Sequence, residues 1–470
     1  MMLDSFKNSV QGRMFVILGL GRAGRALSQA LLKAGAKVIA YEENEQVWNG
    51  FAVRALLNIG LRRIRKFNER LFNFEPVVIA SPGIAPEHPA VLFFAENGIP
   101  VYDELDFTSR FLTGELIAVT GTNGKSTTVT MIAEILRQAG SKVFVGGNLA
   151  PGQPLARALN IGKRDFYVVE VSSFQLSRSQ WLAPKVAVLL NISGDHLDRH
   201  RSFAEYVRCK FRLFARQQPD DWAVLNSDDP MVQNQLSKVR AQKLFFSLIK
   251  KEADGYLNHG WFYFKGKPVA RVATLLEQFT GREYSGITSR LFNLERLPVV
   301  ENAIAAVVVA KALQVPVPVI SEGLKRWRPL PHRLEFVRTV KGVHFFNNSM
   351  CTNPQAGIKS LLAWRKKVVL IAGGKEKNVD AGEYIRVMKE RAKWVVLLGE
   401  NSRRIAEGLS RLGFKNHEIA RTMRDAVVRA YRYAKPGDVV LFAPGFASFD
   451  LFKNFQTRGR AFKDAVWQLQ

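Results

Sequence analysis

The stretch Thr120, Gly121, Thr122, Asn123, Gly124, Lys125, Ser126, Thr127 constrains this chain more than any other. It stands between an apolar run, 116–119, and a segment of helical periodicity. A glycine-containing loop between a strand and a helix aims successive backbone N–H groups, and the positive end of the helix dipole, at one spot. That spot is a cradle for phosphate oxygens. Lys125 is placed to neutralise the outer phosphates of ATP, and the Ser126 hydroxyl to ligate Mg²⁺. The loop is shorter than the usual GxxxxGK[ST], because Val119 holds the place of the first glycine. The plainer alternative is a glycine turn whose lysine is incidental; the strand–GK[ST]–helix setting favours phosphate.

At 470 residues the chain is too long for one ordinary domain. Its apolar runs predict an α/β protein of three consecutive domains: a Rossmann-like one over 1–111, a P-loop ATPase-like one over 112–329 and a second Rossmann-like one over 330–470. The first opens with a strand at 14–18, the turn Gly19–Gly24 (GLGRAG), a helix to Leu32 and a strand at 37–41, which together make a βαβ unit. Another strand, 77–80, runs into Ser81, Pro82 and Gly83. Strands at 116–119, 142–145, 166–170, 186–190 and 222–225 follow, then 368–372, 394–398 and 439–442. Apolar strands with polar loops at their C-terminal ends predict parallel sheets that bind ligands along that edge.

The glycine turn admits three readings: a tight βα turn, an NAD site with Glu42 or Glu43 on the ribose, or a seat for another diphosphate such as that of UDP. Net charge is +27, with 13 basic against 11 acidic residues in 1–111, 29 against 18 in 112–329 and 26 against 12 in 330–470. The basic residues are scattered, with no aromatic-interleaved cluster, so a solvated basic surface is expected rather than a nucleic-acid partner. Two cysteines, Cys209 and Cys351, make no disulfide framework. No apolar run is long enough to span a membrane, and residues 1–13 carry Asp4 and Lys7 instead of a leader's apolar core. A cytoplasmic monomer is expected.

Three further segments lie at predicted strand ends. EVSSFQL (170–176) ends a strand on Glu170, a carboxylate suited to Mg²⁺. NISGDHLDRH (191–200) is dense in polar groups, although a histidine such as His196 is more often a surface or capping residue than a ligand. Lys210 falls on the helix that follows, where an exposed lysine is the ordinary reading.

Together GTNGKST, EVSSFQL, NISGDHLDRH, PHRLEF (331–336), GGKEK (373–377) and APGFASFDLFKNFQTRG (443–459) stand in the order found in Mur ligases, and the whole chain resembles that family. SPGI (81–84) and the ASFD–KNF–RG run favour its glutamate-adding members. The resemblance implies an ATP-dependent, ADP-forming ligase of peptidoglycan precursor synthesis. ATP would phosphorylate the terminal carboxylate of UDP-N-acetylmuramoyl-L-alanine, and the amine of D-glutamate would displace phosphate from the acyl phosphate. It also implies roles. Gly121 to Thr127 would hold the ATP phosphates, with Asn302, Arg333 and Asn348 as further nucleotide contacts. Ser126, Glu170, His196 and a carbamylated Lys210 would hold Mg²⁺. Gly19, Gly21, Gly24, Ser81, Gly83, Asn148, Ser172 and Gln175 would contact the UDP-precursor, and Thr352, Lys377, Ser448 and Phe455 the amino acid.

The chain departs from the family pattern in places. Asn348 replaces an aspartate and Met350 a lysine of NDSKATN, GGNLAPGQP (146–154) replaces a shorter turn, and Pro298-Val299 stands where His-Asn is usual. The alternatives are the same reaction with L-glutamate or another amino acid, a folylpolyglutamate-synthase-like ligase, an NAD-dependent oxidoreductase, and a basic nucleic-acid-binding ATPase.

Overall fold

The computed structural model describes residues 4–149, 152–194, 200–275, 291–293, 296–376 and 380–470. Five strands open the chain: β1 (Met14–Leu18), β2 (Lys37–Tyr41), β3 (Arg62–Arg63), β4 (Val77–Ala80) and β5 (Val101–Asp103). They form one sheet in the order β3-β2-β1-β4-β5, parallel throughout. Successive residues of β1 face opposite cores. Phe15 and Ile17 pack with Leu27 and Leu31 of the helix Arg22–Lys33, whereas Val16 and Leu18 pack with Val78 and Phe94. An apolar run buried on both faces is what a central parallel strand requires.

The second set comprises β6 (Glu115–Thr120), β7 (Val143–Gly147), β8 (Phe166–Glu170), β9 (Val186–Leu189), β10 (Trp222–Asn226), β11 (Gln242–Ser247) and β12 (Gly255–Asn258). Their order is β12-β11-β10-β9-β6-β8-β7, again parallel. Strands β13 (Trp261–Phe264) and β14 (Lys267–Arg271) come next. The third sheet takes β15 (Glu335–Val340), β16 (Val343–Asn347), β17 (Val368–Ala372), β18 (Ala392–Leu397), β19 (His417–Ile419) and β20 (Val439–Phe442) in the order β15-β16-β20-β17-β18-β19. Three parallel-dominated sheets with intervening helices make an α/β protein.

In the third sheet one strand departs from the all-parallel expectation. β15 pairs antiparallel with β16 through a two-residue turn in which Lys341 and Gly342 both have positive φ, +44° and +81°. Such a turn matches the twist of a hairpin and returns the chain directly.

Chain contacts divide the molecule into two compact units. One holds residues 1–256, 264–266 and 305–323, the other 257–263, 267–304 and 324–470. The first two sheets thus share a unit, with β12–β14 at its limit.

Candidate active site

In the first unit β6 ends at Thr120, and the chain turns through Gly121 (φ +152°) and Gly124 (φ +89°) into the helix Lys125–Gln138. Gly124 occupies the left-handed region at the N-cap, where a side chain would be strained. Asn191 braces the loop by accepting from Asn123 N at 2.9 Å, and Thr122 Oγ1 lies 2.9 Å from Tyr206 Oη. Lys125 Nζ donates to Gly121 O and Thr122 O, both at 2.9 Å, so the ammonium arches over the loop's own backbone.

Ser126 Oγ donates to Glu170 Oε2 at 2.5 Å, and both residues are buried. Glu170 Oε1 accepts from Asn148 Nδ2 at 3.3 Å, while Asn148 N donates to Glu170 O at 2.9 Å. Hydroxyl and carboxylate oxygens side by side are the donor set a hard divalent cation takes, so these residues fit Mg²⁺. His196 lies outside the described residues. Lys210 is 2% exposed, with Nζ 4.6 Å above the Tyr206 ring. The ordinary expectation of an exposed lysine therefore fails. Lys210 lies on the buried face of the helix Phe203–Phe211 with Tyr206, Val207 and Phe211.

A cavity of about 420 Å³ is lined by Gly19, Gly21, Ser81, Gly83, Asn148 and Gln175, all expected from the sequence. Arg22, Ile84, Glu104 and Pro154 also line it and were not expected, as does Glu42, which the sequence offered only for the NAD reading. Two expected residues lie elsewhere. A Cβ on Gly24 would sit 2.0 Å from Gly19 O and 2.9 Å from Ser81 Oγ, so Gly24 is packed beneath the turn. Ser172 caps the helix Ser173–Ser177 in a reciprocal capping box with Gln175.

Glu42 spends its carboxylate on the backbone, accepting from Leu20 N at 2.9 Å and Asn44 N at 3.0 Å. Glu43 is exposed beside His88. Burial pushes the Asp103 carboxyl up to about 7. Burial, and then the neighbouring Asp103, push Glu104 up to about 8. Glu104, which lines the cavity, thus keeps its proton at neutral pH.

In the second unit Asn302 is buried on the helix Pro298–Ala312. Arg333 Nη2 lies 3.0 Å from Met350 Sδ, so a lysine at 350 would set two cations together. Asn348 accepts from Leu334 N at 3.2 Å and donates from Nδ2 to Ser360 Oγ at 2.7 Å. The Ser360 hydroxyl proton goes to Ala356 O, which leaves Ser360 needing a donor that asparagine has and aspartate lacks. Half-buried Thr352 and Phe455 and buried Ser448 lie on segments knit together by Gly445 N to Cys351 O (3.1 Å) and Ser349 Oγ to Phe455 O (2.8 Å). Lys377 lies outside the described residues.

The Mur ligase middle domain matches residues 119–310, and the Mur ligase glutamate ligase domain matches 332–446. A UDP-N-acetylmuramoylalanine–D-glutamate ligase of Pelotomaculum thermopropionicum is 38% identical over 457 residues, 97% of each chain. The chain belongs to the Mur ligase family. Another relative of that name, from Caldanaerobacter subterraneus, is 34% identical over 97% of this chain and 98% of its own. Among solved Mur ligases, MurF of Acinetobacter baumannii superposes with a TM-score of 0.64 at 16% identity, covering 98% of both chains. MurF of Thermotoga maritima, solved with ADP, gives 0.60 at 17%, covering 98% of this chain and 97% of that one. These two share the fold. The Mur ligase family uses ATP, and its chemistry is ligation of an acid to an amino acid. Among the described residues no helix is long and apolar enough to cross a membrane.

Proposed function

We propose that this Mur ligase adds D-glutamate to UDP-N-acetylmuramoyl-L-alanine in peptidoglycan precursor synthesis, at the expense of ATP. Its domains would be 1–111 for the UDP-precursor, 112–329 for ATP and 330–470 for the amino acid, in a monomeric cytoplasmic enzyme. What supports the reading is the link Ser126–Glu170–Asn148, which ties the phosphate loop to the wall of the cavity. The full-length relatives bearing that activity in their names support it too.

A carboxylate resists attack by an amine until one oxygen becomes a leaving group. The first step moves the γ-phosphoryl of ATP onto the precursor's alanyl carboxylate, giving an acyl phosphate and ADP. In the second the neutral amine of glutamate attacks that carbonyl, and the tetrahedral intermediate expels phosphate. Most of the catalysis is placement and charge neutralisation. Lys125 leaves Gly121 O and Thr122 O to meet the phosphates, and the N–H groups of Gly121 to Thr127 fix their oxygens. Ser126, Glu170, His196 and carbamylated Lys210 would hold Mg²⁺, which neutralises phosphate charge when bound. Gly19, Gly21, Ser81, Gly83, Asn148 and Gln175 orient the precursor. Asn302, Arg333 and Asn348 serve the nucleotide, while Thr352, Lys377, Ser448 and Phe455 serve the acceptor.

The test is phosphate release from ATP with precursor and a panel of D-Glu, L-Glu, D-Asp and L-Lys. Release that requires the precursor and is fastest with D-Glu is expected. Preference for L-Glu would overturn the stereochemistry, and preference for lysine the acceptor class.

A further inference from the structure

Arg458 lies one turn into the helix Phe455–Trp467 and is 3% exposed. Its guanidinium donates from Nε to Ser349 Oγ at 3.1 Å, from Nη2 to Ser349 O at 2.8 Å and from Nη1 to Phe446 O at 2.9 Å. No carboxylate among the described residues forms an ion pair with it. The Cys351 thiol nearby is pushed up by burial to about 12 and stays neutral. Asp450 is the acid whose field reaches the guanidinium, and its Oδ2 accepts from Glu400 N at 3.0 Å. Among the described residues this buried guanidinium is satisfied only by neutral oxygens, an uncommon arrangement, because burying a charge without a counter-ion is costly. Burial lowers the Arg458 pKa only to about 10, so the charge persists at neutral pH.

The groups it binds identify what it serves. Ser349 begins the segment that reaches Thr352, and Phe446 the one that reaches Ser448; Phe455 opens Arg458's own helix. The turn after β17, leading to Lys377, passes close by: a Cβ on Gly374 would lie 3.2 Å from Arg458 Nη1 and 2.4 Å from Ala447 O. The segments of Thr352, Ser448 and Phe455, with Gly374 of the turn after β17, therefore meet around one buried cation. Met350 removes the lysine the family usually places in this neighbourhood, so Arg458 becomes a principal remaining source of positive field for an acidic acceptor.

We propose that Arg458 is a positioning residue that gathers the acceptor segments and lends them an unneutralised positive charge, so that the pocket selects an amino acid with a second carboxylate. This rests on the acceptor assignment above. A purely mechanical clamp would serve neutral and acidic acceptors alike, whereas a buried charge favours the acidic one.

The experiment compares D-glutamate with D-glutamine, its neutral isostere, in wild type, Arg458→Gln and Arg458→Lys. Arg458→Gln should lower kcat/KM for D-glutamate at least tenfold, chiefly through KM, with KM for ATP and precursor within twofold of wild type. It should also narrow the preference for D-glutamate over D-glutamine by a similar factor. Arg458→Lys keeps the charge but loses the fork, and should keep most of the preference while KM rises a few-fold. Equal losses for both acceptors in Arg458→Gln, or loss of the preference in Arg458→Lys, would overturn the proposal. If Arg458→Gln does not fold, the Arg458→Lys preference decides. Wild type that takes no acidic acceptor would defeat the functional reading itself, before any variant is compared.

Discussion

Replacing Asp106 by asparagine should loosen the segment that follows the Ser172–Gln175 capping box. Asp106 is 1% exposed, and its carboxylate gathers four donors from a segment more than seventy residues away. Oδ1 accepts from Ser179 Oγ at 2.9 Å, Trp181 N at 2.9 Å and Leu182 N at 2.8 Å; Oδ2 accepts from Gln180 N at 2.9 Å. An amide keeps one acceptor oxygen and turns an NH₂ toward whatever the other held. In the less costly orientation three hydrogen bonds lose their charge assistance and the Gln180 N–H faces another donor. An ionic hydrogen bond contributes about 1.5–3 kcal/mol against roughly 1 for a neutral one, and an orphaned buried N–H costs about 1–3 kcal/mol. Remaining contacts absorb part of that sum, so we expect a loss of about 2–4 kcal/mol, a large share of the roughly 5–15 kcal/mol typical of a folded protein. Urea unfolding followed by circular dichroism would measure it, and hydrogen exchange at Gln180, Trp181 and Leu182 would locate it. Because Gln175 lines the precursor cavity just upstream, KM for the precursor should rise as well. A loss below about 1 kcal/mol with undiminished protection at those three amides would refute the argument, showing that water or rearrangement replaces the carboxylate at little cost.

Gly24→Ala should push the glycine turn out of place, since its Cβ would fall 2.0 Å from Gly19 O; calorimetry should show a drop in stability of about 1–3 kcal/mol or more and weakened precursor binding. Asp103 and Glu104 release protons near pH 4 when unfolded but hold them to about 7 and about 8 when folded, so their contribution is intact below pH 4 and lost as pH climbs through those values. The urea midpoint should therefore fall from about pH 4 to about pH 8 and level off above, and Glu104→Gln should flatten that fall; an unchanged slope in the variant would remove Glu104 as its source. Lys210→Ala should cut turnover by a factor on the order of 10²–10³, with partial recovery in acetate, and wild type in ¹³C-bicarbonate should show a carbamate carbon by NMR.

Apolar runs made much of the scaffold legible. β1, β2, β4, β8, β17 and β20 begin and end where the sequence places them, because strands buried on both faces leave no polar alternation to confuse their limits. The hairpin β15–β16 escaped that criterion, since β15 is only half-buried and its polar residues read as loop. Its signal was the two-residue Lys341-Gly342 turn between two runs rich in β-branched or aromatic residues, 336–340 and 343–346. Lys210 shows a different limit. Tyr206, Val207 and Phe211 make an apolar stripe, and a helical wheel puts Lys210 on it; charge alone suggested exposure. Asp106 and Glu104 could not have been read as buried, because the donors that satisfy Asp106 come from Ser179 to Leu182 and the backbone N–H that bonds Glu104 from Ala156, both distant in sequence.

Strand order carries what no stretch of sequence could. β8 lies between β6 and β7, with Glu170 opposite Val119 on one side and Gly147 on the other. Parallel pairing brings three C-terminal ends to one edge, so the phosphate loop after β6, the carboxylate ending β8 and Asn148 after β7 fall side by side. Glu170 can then accept from Ser126 and Asn148 at once. The same glutamate at the end of β10 would be separated from β6 by β9, about 10 Å away at two strand spacings, beyond the reach of one hydrogen bond. The coupling has a direction that matters for chemistry. Asn148 lines the cavity, Ser126 lies in the first turn of the helix after the phosphate loop, and one carboxylate holds both. Any cation or phosphate that draws Ser126 away from Glu170 frees Oε2, while Oε1 still accepts from Asn148. On the proposed function, Glu170 would stand between nucleotide and precursor, where phosphoryl transfer between them would occur.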